Sequence, residues 1–168
     1  MTSLDLRRVR LRSGEQDTGR HEIELDPLTL GGQRYVPVPA KPEAELTISR
    51  ASTGTVFGLR FVGRLHGPCQ RCLADAVVER SLSVQEYQAT NPVDDELRTP
   101  YIVDDRLDLS AWARDALALA LPDQILCRED CAGLCPVCGA DLNVKPHEHQ
   151  EETSDPRWAA LAELKERL

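Results

Sequence analysis

The chain has 168 residues, a length that suits one domain or one domain with a small appendage. Its 28 acidic residues outnumber 20 lysines and arginines, and the resulting net charge of −8 makes it a poor general binder of polyanions, which require clustered positive charge. Large apolar side chains are few, so a metal ion joining distant segments would add usefully to a modest core.

Neither a membrane span nor a secretory signal is visible in the sequence. No apolar run approaches the roughly 20 residues of a transmembrane helix, and residues 1–13 lack the apolar stretch of a signal peptide. We therefore expect a cytoplasmic protein without a membrane partner. In that reducing compartment clustered cysteines are more often metal ligands than disulfides.

The first predicted elements are short strands and a linker. Apolar and polar residues alternate around Leu4 and again around Ile23, as they do in strands. Residues 37–42 contain three prolines, which lack the N–H that a central strand donates. We interpret this stretch as an extended linker or a sheet edge.

A clearer strand pattern follows. Apolar residues alternate from Ala44 to Ile48, a turn sequence occupies 52–54, and apolar runs cover 56–62 and 77–87. These patterns predict an antiparallel meander of at least three strands. A pair of cysteines falls between the second and third strands and is predicted at the tip of their hairpin.

Helical signals dominate the later part of the chain. Residues 91–106, rich in Asn, Pro and Asp, are predicted as a mobile loop. A helix follows at about 109–121, capped by Asp108 or Ser110 and ended by Pro122.

A second, short helix is predicted at the C-terminus. Asp155 suits its cap and Pro156 its first position, and an apolar stripe from Trp158 to Leu168 is expected to dock onto the domain itself.

The predicted fold class is α+β, with an antiparallel meander or barrel-like sheet, one mid-chain helix and a zinc-binding C-terminal segment that ends in a short helix. We expect three segments: N-terminal strands and linker (1–42), a β-rich core domain (43–126), and the zinc-binding segment with its helix (127–168).

Six cysteines and two histidines form the most specific chemical pattern. A two-residue gap, as in Cys69/Cys72 and Cys135/Cys138, lets one tight turn present two thiolates to one ion. Gly139 permits the backbone to fold back under the metal, where N–H groups can reach sulfur. The predicted ligands, enough for two tetrahedral zinc ions, are Cys69, Cys72, Cys127, Cys131, Cys135, Cys138, His147 and His149.

These ligands can be divided between ions in two ways. We favour two ions, the first on Cys69, Cys72, Cys127 and Cys131 and the second on the other four, because this uses every cysteine. In the alternative, both Cys-x-x-Cys pairs hold a single ion as a zinc ribbon. Either way one site joins the hairpin tip to a distant segment and acts mainly on stability.

Other cysteine chemistries fit less well. A redox Cys-x-x-Cys opens a helix after a strand, whereas Cys69 is predicted between antiparallel strands. A zinc deaminase would show His-x-Glu before Pro-Cys-x-x-Cys, the reverse of the order here. An iron–sulfur cluster, which prefers cysteines alone, is the remaining alternative at Cys127–Cys138.

The sequence predicts neither an enzyme nor a small-molecule substrate. Sites filled by four protein ligands leave no open position for water. We recognise no nucleophile, carboxylate pair or phosphate loop elsewhere in the chain.

Four runs carry a resemblance to a known family: Cys69-Gln-Arg-Cys72-Leu73, Ala120-Leu121-Pro122, the stretch from Cys127 to Asn143 with Gly-Leu-Cys-Pro-Val-Cys-Gly-Ala-Asp-Leu-Asn, and Asp155-Pro-Arg-Trp-Ala-Ala-Leu161. In this order they resemble the YceD family, the large-subunit ribosomal RNA accumulation proteins of bacteria and plastids. The resemblance implies a role in synthesis, processing or stability of 23S ribosomal RNA without enzymatic activity. It also implies that the second zinc site is dispensable for the shared activity, because some members lack its Cys-Pro-x-Cys-Gly turn.

The resemblance makes ribosomal RNA or a large-subunit ribosomal protein the expected partner. An acidic face could hold a basic ribosomal protein by complementary charge. The alternatives are a zinc-stabilised interaction adaptor not linked to ribosomes and a thiol redox sensor. Each arginine that could contact RNA is explained equally well as an ordinary solvated side chain. If RNA is bound, the expected contacts are Arg7, Arg8, Arg10, Arg12, Arg60, Arg64 and Arg71.

Overall fold

The computed structural model describes residues 2–92, 94 and 97–149, and the predicted C-terminal helix lies outside them. The chain divides into two compact units, residues 1–131 and 132–168, and the three-segment division drawn from the sequence stays a prediction. Among the described residues no helix is long and apolar enough to cross a membrane.

The first unit is an antiparallel α+β structure, as predicted. Among the described residues of this unit, one α-helix follows the strands in the chain. The elements are β1 Ser3–Asp5, β2 Gln16–Glu22, β3 Leu28–Leu30, β4 Gln33–Pro37, β5 Glu43–Arg50, β6 Gly54–Pro68, β7 Asp75–Ala89, β8 Ile102–Val103, β9 Arg106–Asp108 and α1 Leu109–Leu119.

Strand β6, with 15 residues, organises the main sheet. One edge pairs with β7 along its whole length. The other edge carries two shorter strands end to end: β5 pairs with residues 55–61 and β4 pairs with residues 65–66. Strand β2 extends the sheet from β5, and β3 extends it from β4. Within the described residues this sheet is open and does not close into a barrel.

The structure confirms the predicted meander as β5–β6–β7 and places the first cysteine pair at the β6–β7 tip. The loop prediction is wrong for the residues before the helix. There β8 and β9 form a hairpin that pairs with β1 in a second sheet of three strands. Its two-residue turn places Asp104 and Asp105 in the left-handed region, at φ 51° and 60°, which aspartate tolerates in hairpin turns.

The N-terminal strand predictions are confirmed only in part. Leu4 lies in β1, but Ile23 lies just beyond β2, where its N–H donates to the Pro42 carbonyl. The proline-rich stretch begins within the sheet, since Pro37 is the last residue of β4 and pairs with Leu65.

Helix α1 covers the apolar face of the main sheet, with Trp112 and Leu117 buried. The Asp108 carboxylate caps its start by accepting the N–H of Ala111 at 3.0 Å, as predicted. At its end the Arg80 guanidinium of β7 donates to the Ala120 carbonyl at 3.0 Å. The helix is therefore anchored at both ends, which fixes where the chain emerges from it.

Gly63 of β6 lies directly beneath this helix. A Cβ at this position would lie 2.6 Å from a Cδ atom of the buried Leu117. We expect Gly63→Ala to lower the free energy of unfolding by about 1–3 kcal/mol, because the helix would have to shift. The control is Gly58→Ala on the same strand, where a Cβ meets only an ordinary contact at 3.7 Å. Equal effects of the two substitutions in denaturant titrations would contradict this packing.

Candidate metal centres

Four cysteine thiols converge between the β6–β7 tip and the segment that follows α1. Their sulfur atoms all lie within 4.8 Å of one another. The Sγ–Sγ distance is 3.8 Å for Cys69 and Cys131 and 3.5 Å for Cys72 and Cys127. Sulfurs bound tetrahedrally at about 2.3 Å from one ion lie about 3.8 Å apart, whereas disulfide sulfurs lie about 2.05 Å apart. The arrangement therefore fits a metal held by four thiolates.

Hydrogen bonds hold the tip against the segment after the helix. The N–H of Gln70 donates to the Ile125 carbonyl at 2.9 Å, and the N–H of Ile125 donates to Gln70 Oε1 at 3.3 Å. The Arg71 guanidinium donates to Gln124 Oε1 at 3.0 Å and to the Cys131 carbonyl at 3.1 Å. Sequence reasoning assigned no such role to these side chains. These hydrogen bonds bring Cys69 and Cys72 of the tip close to Cys127 and Cys131 of the later segment.

The cluster favours one thiolate strongly. Burial opposes ionisation of Cys69, but backbone N–H groups of Cys72, Arg71 and Cys127 outweigh it and lower the pKa of Cys69 to about 6. The hydrogen bond with Cys72, together with burial, raises the pKa of Cys127 to about 12. A cation bound beside Cys127 would favour ionisation of its thiol.

The second unit contains the second cluster, in which the sulfurs of Cys135 and Cys138 and a nitrogen each of His147 and His149 lie within 4.8 Å. Cys138 Sγ lies 3.2 Å from His147 Nε2, which lies 3.1 Å from His149 Nε2. His147 Nδ1 lies 2.9 Å from the Lys145 carbonyl oxygen. A proton on Nδ1 would donate to that carbonyl and leave the Nε2 lone pair directed at the cluster. This donor set also fits a tetrahedral ion.

A turn built on Asp141 and Asn143 leads the chain from the cysteines to the histidines. Asp141 Oδ1 accepts the N–H of Asn143 at 2.9 Å, and Asn143 Oδ1 accepts the N–H of Ala132 at 2.8 Å. The Lys145 N–H then donates to the Asp141 carbonyl at 3.0 Å. These bonds explain the Asp-Leu-Asn part of the motif, for which the sequence offered no role.

The two Cys-x-x-Cys turns have the same backbone geometry. The N–H after the second cysteine donates to the carbonyl of the first, from Leu73 to Cys69 at 3.0 Å and from Gly139 to Cys135 at 2.8 Å. The donating residue is left-handed in both turns, with φ 63° at Leu73 and 72° at Gly139. At Gly139 the backbone folds back as predicted.

The structure thus brings the eight predicted residues together in the two sets of the favoured division, one set in each unit. Each set could hold a metal ion. The assignment of individual residues as ligands stays a prediction and is taken up below as a proposal.

The predicted arginine contacts lie in three places: near the N-terminus, on β6 and at the β6–β7 tip. Arg7 pairs with Asp105 at 3.2 Å and lines a cavity with the inward-facing Phe57. Arg60 and Arg64 alternate with buried residues of β6 and point to the opposite face. Arg8, Arg10 and Arg12 are exposed near the N-terminus, and Arg71 lies at the tip. Their role in RNA binding stays a prediction.

Comparison with known proteins gives one family and several relatives. The family model described as large ribosomal RNA subunit accumulation protein YceD matches residues 57–165, which include both clusters. The uncharacterised protein Rv2926c of Mycobacterium tuberculosis is 33% identical over 127 residues, covering 73% of this chain and 61% of that protein. The uncharacterised protein YlbN of Bacillus subtilis is 28% identical over 167 residues, covering 97% of this chain and 94% of that protein. The match therefore spans less than two thirds of the mycobacterial relative. No solved structure matches the chain significantly.

Metal content tests the two clusters separately. We expect two ions per chain in the purified protein, measured by elemental mass spectrometry against protein concentration. Cys135→Ser should leave one ion per chain. It should not change the thermal transition of the first unit, because Cys135 and the rest of the second cluster belong to the second unit. Cys72→Ser should also remove one ion and lower that transition, since it opens the link between tip and helix. A single ion in the unsubstituted protein, or the loss of both ions from Cys135→Ser, would contradict the assignment.

Proposed function

This chain belongs to the YceD family of large ribosomal RNA subunit accumulation proteins, and from that premise we propose that it is a non-enzymatic, zinc-binding factor of large-subunit ribosome biogenesis. It supports the synthesis, processing or stability of 23S ribosomal RNA in the cytoplasm. The observation that carries this proposal is the family match, whose span contains every residue of both clusters.

Zinc is the proposed occupant of both clusters. Four thiolates, or two thiolates with two imidazoles, are the donor sets of structural zinc sites. The imidazoles of His147 and His149 favour zinc over an iron–sulfur cluster, which is usually held by cysteine alone. With four protein ligands on each ion no position stays open for substrate, so the metal stabilises the fold and performs no chemistry.

The first cluster has the larger structural consequence. It joins Cys72 to Cys127 and Cys69 to Cys131, pairs that are separated by 55 and 62 positions in the chain. Closing so long a loop removes much conformational freedom from the unfolded state. The second cluster closes a short segment of its own unit. This difference supports a division in which the first site is required for the shared function and the second is dispensable.

The proposed partner is ribosomal RNA or a large-subunit ribosomal protein. A net charge of −8 does not favour broad contact with RNA phosphates, and it would attract a basic protein. Of the predicted arginines, Arg7 and Arg60 already lie beside carboxylates, at 3.2 Å from Asp105 and 3.7 Å from Glu45. Contact through a ribosomal protein is therefore the simpler arrangement.

Deletion of the gene in its host tests the proposed function. We expect the ratio of 23S to 16S ribosomal RNA in total RNA to fall and large-subunit precursors to accumulate in sucrose gradients. The unsubstituted gene should restore both, Cys72→Ser should not, and Cys138→Ser should restore them largely. Val103→Ala, a change at an exposed side chain of β8, is the control. A deletion strain with normal 23S ribosomal RNA would contradict the proposal and favour an adaptor unrelated to ribosomes.

A further inference from the structure

Leu73 follows the second cysteine of the β6–β7 tip in a conformation that is unfavourable for leucine. Its φ of 63° is left-handed, a region that glycine occupies without steric cost. The matching position of the other Cys-x-x-Cys turn is Gly139, at φ 72°. The Leu73 side chain is also 57% exposed, so burial in the core does not offset the strain. Backbone strain of this kind is concentrated at functional sites, and an exposed apolar side chain there is available for contact with another molecule.

Leu73 lines a groove of about 700 Å³ beside the first metal cluster. The groove lies between the β3–β4 turn, the tip and the segment that follows α1. Aliphatic side chains and side-chain amides share its lining. The principal residues are Leu30, Leu73, Leu121, Gln33, Gln70 and Gln124.

Two of these amides are held in fixed orientations. Gln70 Oε1 accepts the N–H of Ile125 at 3.3 Å, and Gln124 Oε1 accepts from Arg71 Nε at 3.0 Å. With the oxygens engaged, each side chain presents its NH₂ group as a hydrogen-bond donor. Fixed donors beside an apolar surface suit the carbonyl groups of an extended peptide.

The charge of the groove selects the kind of peptide. Asp123 is the one charged residue among those that line it in the described part of the chain. A divalent ion on the four thiolates would leave the neighbouring cluster anionic, and Arg71 would offset only part of that charge. The groove therefore repels a phosphate backbone and attracts a cationic segment.

We propose that this groove binds an extended, basic segment of a large-subunit ribosomal protein. An aliphatic side chain of that segment packs against Leu73, and its backbone carbonyls accept from the Gln70 and Gln124 amides. This inference rests on the proposed function and deepens it by naming the class of partner. Leucine at position 73 supplies an apolar contact at the rim of the groove despite its backbone strain. Glycine would avoid the strain but would not supply this contact.

Photocrosslinking tests the occupant directly. A benzophenone amino acid replaces Leu73 in the full, metal-loaded chain, which is irradiated with RNA-free large-subunit ribosomal proteins or, separately, with a 23S ribosomal RNA transcript. We expect crosslinks to one or a few basic proteins and none to the transcript. Crosslinks only to RNA, only between two copies of this chain, or to nothing would overturn the proposal.

Binding to the crosslinked protein, once it is purified, tests the contribution of the side chain. Leu73→Gly should weaken binding about tenfold or more, the contribution expected from burying a leucine. Its two metal ions should be retained and its thermal midpoint should stay the same or rise, because glycine relieves the backbone strain. Asp123→Asn should weaken binding most at low salt. Val103→Ala is the control and should bind as the unsubstituted chain does. Unchanged binding by Leu73→Gly would refute the proposed contact.

The deletion strain separates this inference from the proposed function. If Leu73→Gly restores 23S ribosomal RNA as well as the unsubstituted gene, the groove proposal fails and the proposed function stands. If the unsubstituted gene has no effect on 23S ribosomal RNA, the proposed function fails. The crosslinks still decide what the groove binds.

Discussion

The junction between the β6–β7 tip and the segment after α1 is the constraint on which the rest of the structure depends. The long pairing of β6 with β7 carries the tip to the end of the main sheet. Helix α1, anchored by Asp108 and Arg80, returns the chain to the same place. Hydrogen bonds from Gln70 and Arg71 hold the two segments against each other. A metal bound to the four cysteines would add to these contacts, as a structural ion does.

The same junction also creates the surface that we propose for the partner. The groove exists because the tip, the β3–β4 turn and the segment after α1 meet there without filling the space between them. A metal at the first cluster would stabilise one wall of the groove, whereas the second cluster contributes none of its lining residues. We therefore expect stability and partner binding to be coupled at the first cluster, because one set of contacts would serve both.

Local patterns in the sequence predicted those parts of the structure that local physics determines. The alternation from Ala44 to Ile48, the cap at Asp108 and the spacing of the cysteine pairs each reflect one element or one turn. The sequence does not indicate the β8–β9 hairpin, because its turn of two left-handed aspartates has the composition of a loop. The groove could not be predicted, since Leu30, Leu73 and Gln124 come from separate elements that only the tertiary fold brings together.

The two Cys-x-x-Cys turns can be compared within the same chain. The comparison shows which residue the turn itself requires after the second cysteine and which residue needs another explanation. Both turns make the same hydrogen bond and require a left-handed residue after the second cysteine. Gly139 meets that requirement without strain, whereas an ordinary side chain there costs about 1–2 kcal/mol. Metal binding alone therefore does not account for leucine at position 73. The groove beside it does, because an exposed aliphatic side chain at its rim adds apolar area that glycine lacks.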